Sequence, residues 1–290
     1  MSKLTVNNIR IVGTLIESRL KEGVIKKGSN AGKQYISGDI IVRCMLDGSE
    51  NLIPVSLYST EVTAKGEISK LFSNYQNLKN QIGRRLSIQG SFEENRFLNK
   101  DGEVVSSTRI KGRFINDARP NDADEATFEF GGFVARELSE KKNKAGETYL
   151  WAITLGQADY RDSSASLTEF HLDPSRTDVI RKMQEVYKAG TTININGNIR
   201  FVTKETLIEA DTSNDLFGTR EPKARKITNR YFYITNGKQP LSMSSEEAYT
   251  MDDIRRYKEA IASADAALKL GGAKDDGGVN VSNSAVANLL

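Results

Sequence analysis

Three short patterns recur in the same order along this chain, and that duplication constrains its fold more than any feature of its composition. Ile9-Arg-Ile-Val-Gly-Thr-Leu-Ile16 is matched by Phe128-Glu-Phe-Gly-Gly-Phe-Val-Ala135, each an alternating apolar segment interrupted by glycine, at Gly13 and Gly132. Ala31-Gly-Lys-Gln-Tyr35 is matched by Ala145-Gly-Glu-Thr-Tyr149, each closing a lysine-rich loop. Gly83-Arg-Arg-Leu-Ser-Ile-Gln-Gly90 is matched by Gly190-Thr-Thr-Ile-Asn-Ile-Asn-Gly197, both obeying Gly-x-x-apolar-x-apolar-x-Gly. The separations are 119, 114 and 107 residues, so two copies of one unit differ in loop length but keep their order.

Each copy reads as three strands, a helix and two strands. In the first, period-two alternation predicts strands over Val6–Glu17, Lys33–Leu46 and Leu52–Leu57. A helix follows over Glu67–Asn80, where Ile68, Leu71, Phe72, Tyr75 and Leu78 make one apolar stripe, then strands over Arg85–Phe92 and Thr108–Ile115. The second copy gives strands over Thr127–Leu138, Thr148–Gln157 and Leu167–Leu172, and a helix over Thr177–Lys188. Strands over Thr191–Phe201 and Asn229–Thr235 complete it. This is the element order of a five-stranded Greek-key oligonucleotide-binding (OB) barrel. Glycines in the first strand are expected to permit a bulge at its sharp bend. The expected fold is therefore mainly β with helices: two tandem five-stranded OB barrels plus a C-terminal helix and a flexible acidic tail. The expected boundaries are 1–117 for the first OB domain, 118–125 for a polar linker and 126–240 for the second OB domain. The helix is expected within 241–271, running over Ser245–Leu270 with Ser244 or Ser245 as its cap, and the tail over 272–290.

Charge is unevenly spread. Residues 1–117 hold 18 Lys/Arg against 12 Asp/Glu, a net of +6; residues 118–240 balance at 18 each; residues 241–290 hold 5 against 8, a net of −3. A basic front end suits a polyanionic partner. Apolar runs such as Asp39-Ile-Ile-Val-Arg43 are too short to cross a bilayer, so no membrane is expected. Met1-Ser-Lys-Leu-Thr-Val6 has no apolar core of a signal peptide. Cys44 is the only cysteine, which suits a reducing compartment such as the cytoplasm.

Catalysis finds no support. His171 is the only histidine and shares a strand face with Glu169, as a surface residue would. No CxxC or HxxxH spacing offers a metal site and no phosphate-binding glycine loop is present, so neither an enzyme nor a cofactor is expected.

Binding of a single strand combines a cationic groove for phosphates with aromatic side chains for bases, each stacked base contributing roughly 1–3 kcal/mol. Tyr35 alternates with inward Ile36, Ile40 and Val42 and shares the other face with Ser37, Ile41 and Arg43. In the second copy Tyr149 and Trp151 take the places of Tyr35 and Ser37 as a stacking pair; alternatively Trp151 fills the core with Ile153 and Leu155, which share its parity. Lys21, Lys26, Lys27 and Lys33 surround the loop after the first strand, and Lys141, Lys142 and Lys144 occupy the matching loop. Arg84 and Arg85 open the fourth strand, Arg96 and Phe97 lie near the following turn, and Arg220, Lys223, Arg225 and Lys226 fall in a long loop.

The repeated strand pattern, the glycine-flanked fourth strand and the acidic tail resemble single-stranded DNA-binding proteins of the OB class, and the tandem arrangement is similar to those of bacteriophages. The resemblance covers about residues 5–236. It implies binding of exposed single-stranded DNA during replication, recombination or repair in the host cytoplasm, with replication or recombination proteins recruited through the tail. The chain departs from bacterial members by ending Ala287-Asn-Leu-Leu290 rather than in aspartates before Pro-Phe. The alternative readings are an interaction protein of phage assembly and a single-stranded RNA binder.

Overall fold

In the computed structural model, which describes residues 3–28, 30–63, 65–158, 165–208 and 223–271, the alternating segments become the strands of two barrels. The first copy forms β1 (Asn7–Ser18), β2 (Lys21–Val24), β3 (Gln34–Leu46), β4 (Ser49–Thr60), α1 (Lys70–Leu78), β5 (Arg85–Leu98) and β6 (Val104–Asp117). The second forms β7 (Glu125–Lys142), β8 (Thr148–Ala158), β9 (Ala165–Leu172), α2 (Thr177–Val186), β10 (Thr192–Ile208) and β11 (Lys223–Gly237), followed by α3 (Met251–Gly271). β1 pairs antiparallel with both β3 and β5, β3 with β4, and β5 with β6, while β4 and β6 close the ring through a parallel bridge at Ser56 and Lys111. The second copy closes identically: β7 with β8 and β10, β8 with β9, β10 with β11, and a parallel bridge between His171 and Tyr233. Both are closed five-stranded OB barrels.

The barrels join through their first strands. β1 pairs antiparallel with β7, with Asn7 opposite Phe130, Ile9 opposite Phe128 and Val12 opposite Glu125. The copies are 119 residues apart here, so Ile9 and its own counterpart Phe128 face each other. Equivalent strands centred on equivalent residues are what a pseudo-twofold axis requires. Each barrel then lays its long hairpin on the other. Phe92 of β5 sits among Phe128, Phe130, Phe170 and Phe232 of the second barrel, with ring centroids 4.6–6.1 Å away. Glu94 accepts from the Leu167 N–H at 2.8 Å, and the Arg230 guanidinium donates to the Thr108 carbonyl. In return β10 sends Arg200 to Asp47, and the Phe201 N–H to the Asn51 side chain at 3.1 Å. One hydrophobic core runs through both barrels, from Ile11 and Leu15 to Ile193 and Phe232.

Several expectations change. β2 occupies what the sequence presents as loop, pairing with β3 from Lys21 opposite Ser37 to Val24 opposite Gln34. Helix α1 starts at Lys70 because the Ser69 hydroxyl accepts from the Phe72 N–H. That leaves Ile68 outside the apolar stripe and 78% exposed, while Phe72, Tyr75 and Leu78 are buried as expected. The hairpins β5–β6 and β10–β11 run further than alternation alone suggests, so Lys223, Arg225 and Lys226 lie on a strand rather than in a loop. Arg220 and residues 272–290 lie outside the described residues. The first-strand bulge falls between Leu15 and Glu17, not at Gly13. Gly13 and Gly132 are needed for close approach instead: a Cβ would collide with the carbonyl oxygens of Arg43 and Gly156. It is the fourth-strand glycines, Gly90 and Gly197, that sit at bulges.

Helix α3 begins at Met251, not near Ser245, because Thr250 makes the cap. The Asp253 N–H donates to the Thr250 hydroxyl at 3.2 Å, and the Thr250 N–H donates back to the Asp253 carboxylate at 3.0 Å. Tyr249, Ile254 and Tyr257 pack on Phe133 of β7, and Lys3 reaches Asp253 at 3.2 Å, so the helix is held by both ends of the fold. Among the described residues no helix is long and apolar enough to cross a membrane.

Candidate nucleic-acid interface

Closing the barrels decides which side chains face outward. On β3, Ile36, Ile40 and Val42 are fully buried, so Tyr35, Ser37 and Arg43 lie on the outer wall, although Ile41 on that side is also buried. Tyr35 stacks on Tyr58 of β4, with centroids 6.1 Å apart and planes 29° from parallel. Tyr58 is 44% exposed; Arg43 is exposed too, but it faces Leu52, six positions along β3 from the residue opposite Tyr58. Lys21 is on β2, opposite Ser37, while exposed Lys26 and Lys27 and partly buried Lys33 follow in the β2–β3 turn. Lys33 donates to the Asn30 side chain at 2.8 Å. The structure thus gathers Lys21, Lys26, Lys27, Lys33 and Tyr35 on the β2–β3 hairpin and leaves Arg43 apart from them, toward the other end of β3.

Lys141, Lys142, Lys144, Tyr149 and Trp151 form the matching set on the β7–β8 hairpin. Lys141 pairs with Glu169 at 3.0 Å and Lys142 with Glu140 at 2.7 Å, while Lys144 is exposed at the turn. Both pairs are substantially solvated, and exchange of a surface carboxylate for a phosphate has little to overcome.

The register of β8 corrects the correspondence between copies. Arg43 faces Thr14 on the first strand, and Gly156 faces Phe133, the counterpart of Thr14. β8 is therefore offset from β3 by 113 residues, not 114. That offset holds from Leu150 onward and puts Trp151 on the inward parity with Ile153 and Leu155, whereas a further register shift between Lys141 and Lys142 skips Tyr149, so that on the turn side Tyr149 keeps the place of Tyr35. Tyr149 lies beyond the barrel and is 52% exposed; Trp151 is half-buried against the core.

The four other candidates lie outside the two lysine-bearing hairpins. Arg84 makes a two-pronged pair with Asp117 and also reaches Gln81. Arg85 binds the Asp124 carboxylate at 2.7 Å and the Asp122 carbonyl at 2.9 Å, pinning the connection between the barrels. Arg96, with its side chain only 15% exposed, is held between Glu94 at 2.9 Å and Asp265 of α3 at 2.6 Å. Phe97 is partly buried opposite Val105.

The outer wall of the second barrel carries aromatic residues that are not among the sequence-based candidates. In Arg230-Tyr-Phe-Tyr-Ile234, Phe232 points into the core, so Tyr231 and Tyr233 point out and stack at 5.4 Å, with planes 19° apart. His171 meets both rings edge-on, at 5.8 and 6.5 Å. Tyr149 is near enough for its phenol to add to the raised pKa of Tyr231, whose first cause is burial. The alternation in that segment was the available signal. His171 does share a face with Glu169, but it is buried rather than exposed, because the tyrosines cover it. Its Nδ1 accepts from the Phe232 N–H at 3.0 Å, and its Nε2 lies 3.4 Å from Glu169. The His171 hydrogen bond, aided by Lys141, holds the Glu169 carboxyl down at about 2 against the effect of burial.

Across the pseudo-twofold axis runs a shallow groove of about 610 Å³, lined by Asn8, Arg10, Gln89, Thr127, Glu129 and Asn198 among others. Its walls mix these polar side chains with Ile9 and Phe128, and its Arg10 is paired with Glu125 at 2.8 Å. Cys44 is buried, and burial pushes its thiol up to about 12, which makes it inert at neutral pH.

Residues 5–269 match the family model described as YorF. No curated protein matches the sequence. The fold is similar to the crystal structure of the single-stranded DNA-binding protein of Thermus aquaticus. That likeness has 14% identity and a TM-score of 0.49, and covers 83% of this chain and 96% of that one. A mitochondrial single-stranded DNA-binding protein of S. cerevisiae, Rim1, is similar over 40% of this chain and 98% of its own, with 13% identity and a TM-score of 0.27.

Proposed function

The chain belongs to the YorF family, and we propose that it is a non-enzymatic protein that binds single-stranded DNA with little regard to sequence. The observation that carries this reading is the stacked tyrosine pair on the outer wall of each OB barrel, Tyr35–Tyr58 and Tyr231–Tyr233, each in a barrel with a lysine-bearing hairpin. An exposed ring offers a flat face to any base, and every base has one, so the binding it provides tolerates all sequences. Lysines on the hairpins add phosphate contacts that are equally indifferent to sequence. A duplex hides its base faces in the stack, so this surface favours an unpaired strand.

In this reading the protein acts in the cytoplasm, on strands exposed during replication, recombination or repair, and a phage origin suits the tandem arrangement. Fluorescence anisotropy with labelled oligothymidine, a duplex of equal length and an oligouridine tests it. Oligothymidine should bind most tightly, with log affinity falling against log salt by about 0.7 per phosphate contacted. Preference for duplex, or affinity independent of salt, overturns the proposal. Tighter binding of oligouridine makes RNA the ligand instead.

A further inference from the structure

The two barrels are alike in topology, so the chemistry of equivalent positions can be compared residue by residue. The single parallel bridge that closes each barrel provides the alignment: Ser56 with Lys111 in the first, His171 with Tyr233 in the second. Lys111 is therefore the counterpart of Tyr233, and Arg109, two residues earlier on the same face, is the counterpart of Tyr231. The antiparallel partners agree, because Arg109 faces Glu93 and Tyr231 faces Arg200.

These equivalent walls have opposite character. In the first barrel Glu93 takes both cations, Arg109 at 2.6 Å and Lys111 at 2.8 Å, and its own side chain is only 17% exposed. The two cations hold that carboxyl below its ordinary range although burial works against them. An ion triad of this kind has no flat apolar face for a base. It also holds its positive charges against a buried carboxylate, where a phosphate has to displace Glu93 to reach them. In the second barrel the same positions carry two parallel phenol rings, with the His171 ring edge-on behind them to fix their orientation. The residue opposite Tyr231 is a cation, Arg200, instead of a carboxylate.

We propose that the Tyr231–Tyr233 wall of the second barrel is a nucleobase-stacking subsite without an equivalent on the first barrel, so that the two barrels engage one strand unequally. The inference rests on the single-strand-binding reading above. On the first barrel the bases are left to Tyr35 and Tyr58, which lie on β3 and β4 rather than on β6, the counterpart of β11. A strand crossing the molecule thus meets aromatic surfaces that the pseudo-twofold axis does not relate.

Photocrosslinking of the full chain to oligothymidine carrying 5-iododeoxyuridine, with the adducts mapped by mass spectrometry, tests this without altering the protein. Adducts are expected on Tyr231 or Tyr233 and none on the 109–113 segment; equal labelling of both walls, or labelling of the first alone, overturns the inference. A second arm uses the Tyr231→Leu/Tyr233→Leu double variant, which keeps apolar cover over His171 but removes the stacking faces. Its affinity for oligothymidine should fall at least about tenfold, with a melting curve close to that of the unaltered chain. Unchanged affinity sinks the subsite while leaving the function standing. Failure of the unaltered chain to bind any single strand sinks the function, and the subsite with it.

Discussion

Replacing Phe92 with alanine asks whether the barrels are one cooperative unit. Phe92 belongs to β5 of the first barrel, is 4% exposed, and has four phenylalanines of the second barrel around it at centroid distances of 4.6–6.1 Å. Removing a buried Phe side chain costs about 3–5 kcal/mol. Well-placed aromatic pairs add about 0.5–1.5 kcal/mol each beyond their buried area. With four such neighbours the loss should lie toward the upper end, about 4–5 kcal/mol, a large part of the roughly 5–15 kcal/mol that holds an ordinary domain folded. Guanidinium titrations should follow both far-ultraviolet circular dichroism and the fluorescence of Trp151, the only tryptophan and a reporter for the second barrel. In the unaltered chain the two signals should coincide. In Phe92→Ala the fluorescence transition should move to lower denaturant and separate from the dichroism, while Phe92→Leu should lose only about 1–2 kcal/mol. A loss below about 1 kcal/mol for the alanine variant, with both signals still coincident, would refute the idea that this ring couples the barrels.

Two other outcomes follow from the packing and the cap of α3. Trp151 lies half-buried on the core side of β8, so Trp151→Ala should lower stability by about 3 kcal/mol and change oligothymidine affinity less than twofold; the reverse pattern in melting and anisotropy would make it a stacking residue. Burial alone would raise the pKa of Asp253, but the Thr250 N–H and hydroxyl and the Lys3 ammonium bring it from 3.8 down to about 2. A carboxyl whose folded pKa is depressed adds stability that is complete above its unfolded value and is lost as pH falls through the folded one. The contribution here, about 2 kcal/mol, should therefore disappear between about pH 4 and 2. Asp253→Asn should remove that part of the acid sensitivity in pH-jump unfolding, and a full-sized acid transition in the variant would show that the cap plays no part.

Much of this molecule is legible in its sequence, for a local reason. Period-two alternation, helical stripes and recurring glycines are fixed by backbone geometry within a few residues, so the duplication and the strand–helix order of both barrels can be read without knowing what packs on what. The lysines of the two hairpins are legible for the same reason, because turns between strands face solvent. What tertiary structure alone decided was register and partnership. A one-residue shift at Tyr149 in how β8 pairs with β7 turned Trp151 toward the core, since slipping a strand by one exchanges its faces. Arg84, Arg85 and Arg96 look in sequence like any other surface cations, but Asp117, Asp124 and Asp265, which hold them, lie 33, 39 and 169 residues away, and only the folded chain brings them together. The covering of His171 by Tyr231 and Tyr233 depends likewise on the parallel bridge that closes the barrel. The sequence determined which segments become strands and helices. Which wall of which barrel offers its rings to solvent was decided by long-range pairing, whose registry no local periodicity encodes.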